Sequence, residues 1–422
     1  MLLVRPLPEF GEHAAGHVLR VTEANGFASP RQLERAGWSP SAAGRDNPYR
    51  LRGPIAGLAA LNFPDQFGLS PRYWNSRRCR YCVDCLSQRP LWRDLWGLVF
   101  YVACHEHGCA LVDQCNACGQ EINWVRGSLM ICPCGVSLTN CGSQPASPAA
   151  LHIAQLLSKA WKEEGSATSQ QAREQSESLL KCIWFLGSFR AGGGRKAQKL
   201  ADLHQLDEAM RITSAAGQAL TEWPSGFIEL IEYVQQRQGS TNSPRLMQRF
   251  GVFYRELFAS RNDSWANDFR RAFESYVSAT WEGQLAARNR RLNQTVRDAH
   301  EWIPATQAAR SMHWRVARIR RWIDSGRLRG RTYALPSGRT TAVVHKHDLE
   351  QLQADAQTWI NLTTACQVLK LGKSHLHQMI HDGRLCPVAG PTIDGHPSWQ
   401  FRRSDLPSIQ AHLDPKAEVL RL

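Results

Sequence analysis

No apolar run in this sequence is long enough to cross a bilayer: the longest, residues 95–104, is half of the roughly 20 residues a spanning helix requires. Residues 1–8 also lack an apolar stretch of signal-peptide length, so the expectation is a cytoplasmic chain with no membrane partner. Acidic residues are in short supply. Against 51 Lys+Arg there are only 37 Asp+Glu, and the net charge of +14 points to a polyanionic partner, with nucleic acid foremost. Enzyme signatures are missing too. Gly192, Gly193 and Gly194 precede Arg195 and Lys196, but the spacing is not that of a phosphate-binding loop and no Ser or Thr follows the Lys, so a loop between helices is expected there. No paired Asp or Glu motif stands ready to hold two metals, and Cys104-His105-Glu106-His107 is not an H-E-x-x-H helix. A nuclease or recombinase is therefore disfavoured, and the expectation is a binding protein with no catalytic residues.

With 43% hydrophobic and 21% charged residues, the chain is neither disordered throughout nor a collagen-like or coiled-coil rod. Its 422 residues exceed one ordinary domain. Five segments are read from the pattern. They are an amino-terminal helical segment (1–71), a double zinc-binding module (72–141), a helical domain (149–298) and two winged helix-turn-helix repeats (300–357 and 358–413). The expected fold class is mainly α and multidomain. Residues 142–148 are small and polar and read as a boundary; residues 162–178 read as an exposed helix or linker. In the helical domain Phe227, Leu230, Ile231 and Val234, and likewise Phe250, Phe253, Tyr254 and Leu257, are spaced for buried helix faces.

Ten of the 13 cysteines fall between Cys79 and Cys141, in short C-x-x-C and C-x-C steps. Such knuckles bring two thiolates to one tetrahedral ion without straining the backbone, which favours zinc over disulfides. Cys79, Cys82 and Cys85 form overlapping steps. Cys82 and Cys85 are chosen, with Cys104 and His107, as a Cys₃His site, and Cys79 is the first substitute. Cys115, Cys118, Cys132 and Cys134 form the second site, where Gly119 and Gly135 follow the knuckles and suit tight turns. Two zinc ions per chain are expected, each with four protein ligands and hence a structural role. Cys109 and Cys141 are left over, and Cys182, Cys366 and Cys386 read as buried structural thiols.

The last quarter contains an internal repeat at an unbroken offset of 57: Trp302-Ile303, Ala308, Gly326-Arg327-Leu328 and Asp348-Leu349 recur as Trp359-Ile360, Ala365, Gly383-Arg384-Leu385 and Asp405-Leu406. Each copy reads as a helix carrying Ala308 and Ala309, a turn, and a second helix with Ile319, Trp322 and Ile323 on one face. Gly326 then caps it, a hairpin wing follows around Pro336-Ser337-Gly338, and Asp348 is placed to cap a closing helix. Residues 288–346 hold fourteen Lys or Arg against three acidic residues, a net of +11. Arg315, Arg318 and Arg321 are read as facing double-stranded DNA from the second helix, with Arg329, Arg331 and Arg339 joining them from the wing. In the second copy the matching helix positions are Gly372, His375 and Gln378, so DNA contact by that copy is expected to be weaker, with protein docking as its alternative.

Several short stretches together resemble the TniQ family, which includes the TnsD target selectors of Tn7-like transposons. They are Arg5-Pro6, Gly11-Glu12, Leu19-Arg20 and Asn25-Gly26, then residues 82–86, Cys104 to Gly108 with Leu111, residues 115–119 and 132–135, and Glu222-Trp223-Pro224 with Phe227. The paired knuckles in this order are the specific part. The resemblance implies a bacterial, nucleoid-associated adaptor without catalytic activity that helps choose where a transposon inserts. It would join target DNA, or a target-bound complex such as a CRISPR effector, to an AAA+ ATPase that recruits the transposase. Whether targeting is RNA-guided or uses a fixed site is open at this point, as is the choice between monomer and homodimer. The tandem repeat lies outside the resemblance. The alternative reading is a zinc-containing DNA-binding transcription regulator.

Overall fold

The computed structural model describes residues 4–36, 69–75, 78–166, 170–191, 203–237, 243–259, 265–285, 289–335 and 338–406. The glycine loop at 192–196 and the wing-tip residues Pro336 and Ser337 lie outside these. The fold is mainly α, and no helix among the described residues is long and apolar enough to cross a membrane. The chain divides into two compact bodies, an amino-terminal one (residues 1–239 and 250–273) and a carboxy-terminal one (240–249 and 274–422), and the helical segment read as 149–298 is shared between them.

In the amino-terminal body, α1 (Ala14–Ala24) starts at His13, whose Nδ1 accepts from the Ala15 N–H at 3.1 Å. Buried His13 is stacked on Trp124, and burial holds its ring neutral, with a pKa lowered to about 3. Residues that carry the family resemblance serve the fold here. Buried Glu12 accepts from Arg20 Nε at 2.9 Å and Nη2 at 2.8 Å, and the Asn25 side chain bonds the backbone of Val4. After the short α2 (Pro30–Arg35) and α3 (Val83–Gln88), residues 89–147 form loops tied by isolated bridges such as Tyr81↔Val112 and Ala103↔Ala110. Stretch 142–148 is no free linker: the Ala110 N–H donates to Gln144 O and the Ala146 N–H to Gly108 O.

The helical layer consists of α4 (Pro148–Ser166), α5 (Gln170–Ala191), α6 (Leu206–Thr221) and α7 (Ser225–Arg237). Parts of α8 (Leu246–Ala259) and α9 (Ala266–Thr280) complete it; α8 is interrupted at Gly251. All eight apolar positions picked out by helical spacing are buried, and Trp223 lies over Phe227 and edge-on to Phe269. The metal module and the helices share one core. Trp161 of α4 donates its indole N–H to Asp94 at 2.9 Å, Ser158 bonds His105, and buried Arg80 donates to Val99 O and Leu203 O.

The carboxy-terminal body includes a short α10 (Gln294–Asp298) and both repeats. In the first, β1 (Trp302–Pro304) leads into α11 (Ala305–Ser311), α12 (Val316–Asp324), β2 (Gly330–Ala334), β3 (Thr340–His345) and α13 (Lys346–Ala356). The sheet is antiparallel, in order β1-β3-β2, with Trp302 opposite His345 and Gly330 opposite Val344. Ala308, Ala309, Ile319 and Trp322 are buried, and Ile323 is half-buried at the edge of that core. The cap of α13 differs from expectation. His345 occupies the cap position, while Asp348 sits in the first turn and pairs with Arg329 at 3.0 Å.

The second copy repeats β1 as β4 (Trp359–Asn361), then α14 (Leu362–Leu369), α15 (Lys373–His381) and β5 (Gln400–Arg402), which pairs with β4. Both helix pairs end on a glycine with φ +71°, Gly326 and Gly383. The copy of β2 is missing. Pro387 stands where Gly330 stands in the first repeat, and the stretch after it meets β5 at the bridge Ala389↔Gln400.

Candidate metal centres and nucleic-acid interface

Cys82 caps α3 and Cys85 lies in its first turn, so the two thiols project from one end of one short helix. The facing knuckle is a tight turn in which the Gly108 N–H donates to Cys104 O at 2.9 Å and the Cys104 N–H to Cys109 O at 2.7 Å. His107 Nδ1 stands 3.5 Å from Cys82 Sγ, 3.2 Å from Cys85 Sγ and 3.5 Å from Cys104 Sγ. Cys85 and Cys104 are 3.5 Å apart at sulfur. Two ligands bound at about 2.0 to 2.3 Å on a tetrahedral ion are separated by roughly 3.3 to 3.8 Å, so the four donors fit one zinc. His107 Nε2 is 2.9 Å from the Gln88 amide. With Nδ1 given to a metal, Nε2 carries the ring proton, and Gln88 turns its Oε1 to accept it.

Hydrogen bonds from Cys109, Cys82 and Cys85 hold the Cys104 thiol far below the usual thiol range, and those same contacts push Cys85 and Cys109 far up. One thiolate in so tight a group keeps its neighbours protonated. A bound cation removes that conflict by stabilising every thiolate at once.

At the second centre Cys115 lies 3.8 Å from Cys134 and Cys118 lies 3.8 Å from Cys132, between two knuckles closed by Gly119 (φ +68°) and Gly135 (φ +90°). Against its burial, the N–H groups of Cys118 and Ala117 bring Cys115 down to about 7, while burial pushes Cys132 up to about 12. Both clusters have the donors and spacing to hold a metal ion, and both are compatible with zinc.

Cys79 does not substitute at the first centre. It is fully buried with its thiol pushed up to about 12 by burial, and its sulfur accepts from Arg126 Nη1 at 3.6 Å. The neighbour of that centre is Cys109, read from the sequence as left over. Its sulfur is 3.5 Å from Cys82 Sγ and 3.9 Å from Asp84 Oδ2. The spacing Cys104-x-x-His107-x-Cys109 was the visible signal. Cys141 bonds Asn116, Cys182 is a buried thiol as expected, Cys366 is half-buried, and Cys386 is exposed, contrary to the buried role read for it.

The six arginines read as DNA contacts divide three ways. Arg315, Arg321 and Arg339 are exposed, with no ion pair among the described residues. Arg329 and Arg331 are exposed but paired, with Asp348 at 3.0 Å and Glu282 at 2.5 Å. Arg318 is not on the exposed face at all. It is buried, lies over the Trp314 ring at 3.5 Å and donates from Nε to Asp394 at 2.5 Å. The exposed stripe of α12 is Ala317, Arg321 and Asp324, with Arg320 half-buried beside it and donating to Thr340 O at 2.5 Å. In the second copy the counterpart of Arg318, His375, is exposed with Lys373, His377 and Gln378. Compared with protein-family models and with curated proteins, the chain matches none.

Proposed function

We propose that this chain is a non-catalytic target-selection adaptor of a Tn7-like transposition system, which binds double-stranded DNA or a DNA-bound complex and recruits an AAA+ ATPase and, through it, the transposase. The observation that carries the reading is the pair of four-donor clusters, in the chain order of the TniQ resemblance, built into one core with the helical layer. On this reading each cluster holds a structural zinc, two per chain, and all four positions at each ion are taken by the protein. Water then has no place at the metal, which suits a scaffold and not a hydrolase. The exposed Arg315, Arg321 and Arg339 provide cationic contacts for a phosphate backbone.

The decisive experiment is reconstitution. Purified chain is mixed with an AAA+ ATPase of a Tn7-like system and with duplex DNA, and ATP turnover and co-purification are measured. Chain-dependent capture of the ATPase with a change in its turnover is expected. DNA binding without capture of the ATPase would favour a zinc-containing transcription regulator, the second reading that the winged repeats serve equally well.

A further inference from the structure

The closing loop of the second repeat does not extend as a wing. Residues 390–399 turn back onto the first repeat, and Asp394 within them is 2% exposed. Its Oδ1 accepts from the Gly390 and His396 N–H groups, each at 3.1 Å, which fixes the loop on itself. Its Oδ2 accepts from Arg318 Nε at 2.5 Å and from Trp322 Nε1 at 2.8 Å, both on α12. The neighbouring Gly395 leaves room for the Arg321 guanidinium, since a Cβ there would meet Nη1 at 2.0 Å.

The rest of the joint is equally short of slack. Trp314, Trp322 and Trp359 form a cluster with ring centroids 5.6 to 6.1 Å apart, joining the core of one repeat to the first strand of the next. Arg327 donates to Val388 O at 2.9 Å, and Arg402 grips Asp355 with Nε and Nη2. Only Gln357 and Thr358 separate α13 from β4.

We infer that the two winged repeats read one continuous duplex as a single rigid body, with Arg318–Asp394 as the latch that sets the offset between α12 and α15; this rests on the DNA-binding reading proposed above. Three observations carry it. A buried ion pair adds little stability over apolar packing, and its best-attested use is to fix a register. The loop gives up the place of a wing to make this contact. Both second helices keep exposed positions clear of the Arg318–Asp394 pair, Ala317 and Asp324 on α12 and Ser374, His377 and Gln378 on α15, while Arg321 is exposed with its guanidinium against Gly395. Arg318 is therefore a positioning residue, and its cationic charge acts on Asp394 and not on phosphate.

The test uses the full chain and two duplexes, one of about 12 bp that admits one helix-turn-helix unit and one of about 40 bp that admits both, since paired units bind about 10 bp apart. Arg318→Met and Asp394→Ala are compared with wild type at each length, which cancels the larger number of sites on the longer duplex. Both variants are expected to lose about tenfold in affinity on the long duplex and nothing on the short one. The two change net charge in opposite directions, so a shared loss reports the latch and not charge. Tighter binding by Asp394→Ala with Arg318→Met unchanged would mean that Asp394 only masks a DNA-contacting arginine, and would overturn the inference. Unchanged binding by both variants would overturn it as well. Should either variant fail to fold, the wild-type hydroxyl-radical footprint decides: protection on two successive groove faces supports the rigid reader, and protection within one turn refutes it. Wild type that binds no duplex of either length defeats the DNA reading itself, which separates that failure from failure of the latch.

Discussion

The sulfur of Cys109 lies 3.5 Å from that of Cys82, no farther than His107 Nδ1 does. A fifth donor thus stands beside the four-donor cluster, next to Cys82 and Asp84. The expected outcome is that His107→Ala still carries two zinc ions, because Cys109 moves into the vacated position. Cys109→Ala should carry two as well, and only the double variant should fall to one. Metal analysis of the three purified variants checks this, and a single ion in His107→Ala alone would show that Cys109 cannot reach.

Removing a ligand from the second centre should act locally. Cys118 and Cys134 are exposed, and the loops around them are held by isolated bridges such as Gln114↔Glu121. A structural zinc in so small a module contributes on the order of 10 kcal/mol to its folding. Cys118→Ala is therefore expected to lose one ion and to be cleaved rapidly by protease between residues 113 and 141. Cys85→Ala should do wider damage, because its centre adjoins Arg93, Glu106 and the His105–Ser158 contact to the helical layer. Limited proteolysis followed by mass mapping separates local from wide cleavage.

These ligands were legible in the sequence because knuckle geometry is local: Cys82 and Cys85 share one helical turn, as do the residues of each glycine-closed turn. The repeat was legible for the same kind of reason, and α12 and α15 fall at the same offset of 57 as the residues that revealed it. Arg318 was misread because helical spacing tells which residues share a face, and not what covers that face. Its cover is Asp394, 76 positions along the chain, in a loop held by the Gly390 and His396 N–H groups. His375 occupies the equivalent position and is exposed, and there the exposed reading holds.

Acid should loosen the joint between the repeats in a defined window. Although burial opposes it, hydrogen bonds from Trp322, Arg318 and the Gly390 and His396 N–H groups hold the Asp394 carboxyl below its ordinary value. A carboxyl depressed in the folded state stabilises above its unfolded pKa of about 3.9 and loses that contribution as pH falls through the folded value. The difference in thermal stability between wild type and Asp394→Asn should therefore be constant from pH 7 to about pH 5 and shrink below about pH 4. Metal release from the thiolates affects both proteins alike, so the difference isolates this carboxyl. A gap that stays constant down to pH 3 would show that the carboxylate charge does not matter to the joint.

The division among the arginines predicts how DNA binding responds to salt. Arg315, Arg321 and Arg339 are exposed without an ion-pair partner among the described residues, whereas Arg329 and Arg331 already hold Asp348 and Glu282. Each phosphate contact releases about 0.9 of a counterion, so replacing the first three with Ala should flatten the slope of log affinity against log salt by about 2.7. Replacing Arg329 and Arg331 should change the slope less, because each leaves a carboxylate behind and must break its pair before reaching phosphate. His375→Ala with Gln378→Ala in the second copy should leave the slope almost unchanged, because that pair removes no Lys or Arg. Titrations of one duplex across a salt series, with circular dichroism to confirm folding, compare the three sets. An equal change in slope for all of them would mean that the cationic field as a whole, and not these exposed side chains, governs binding.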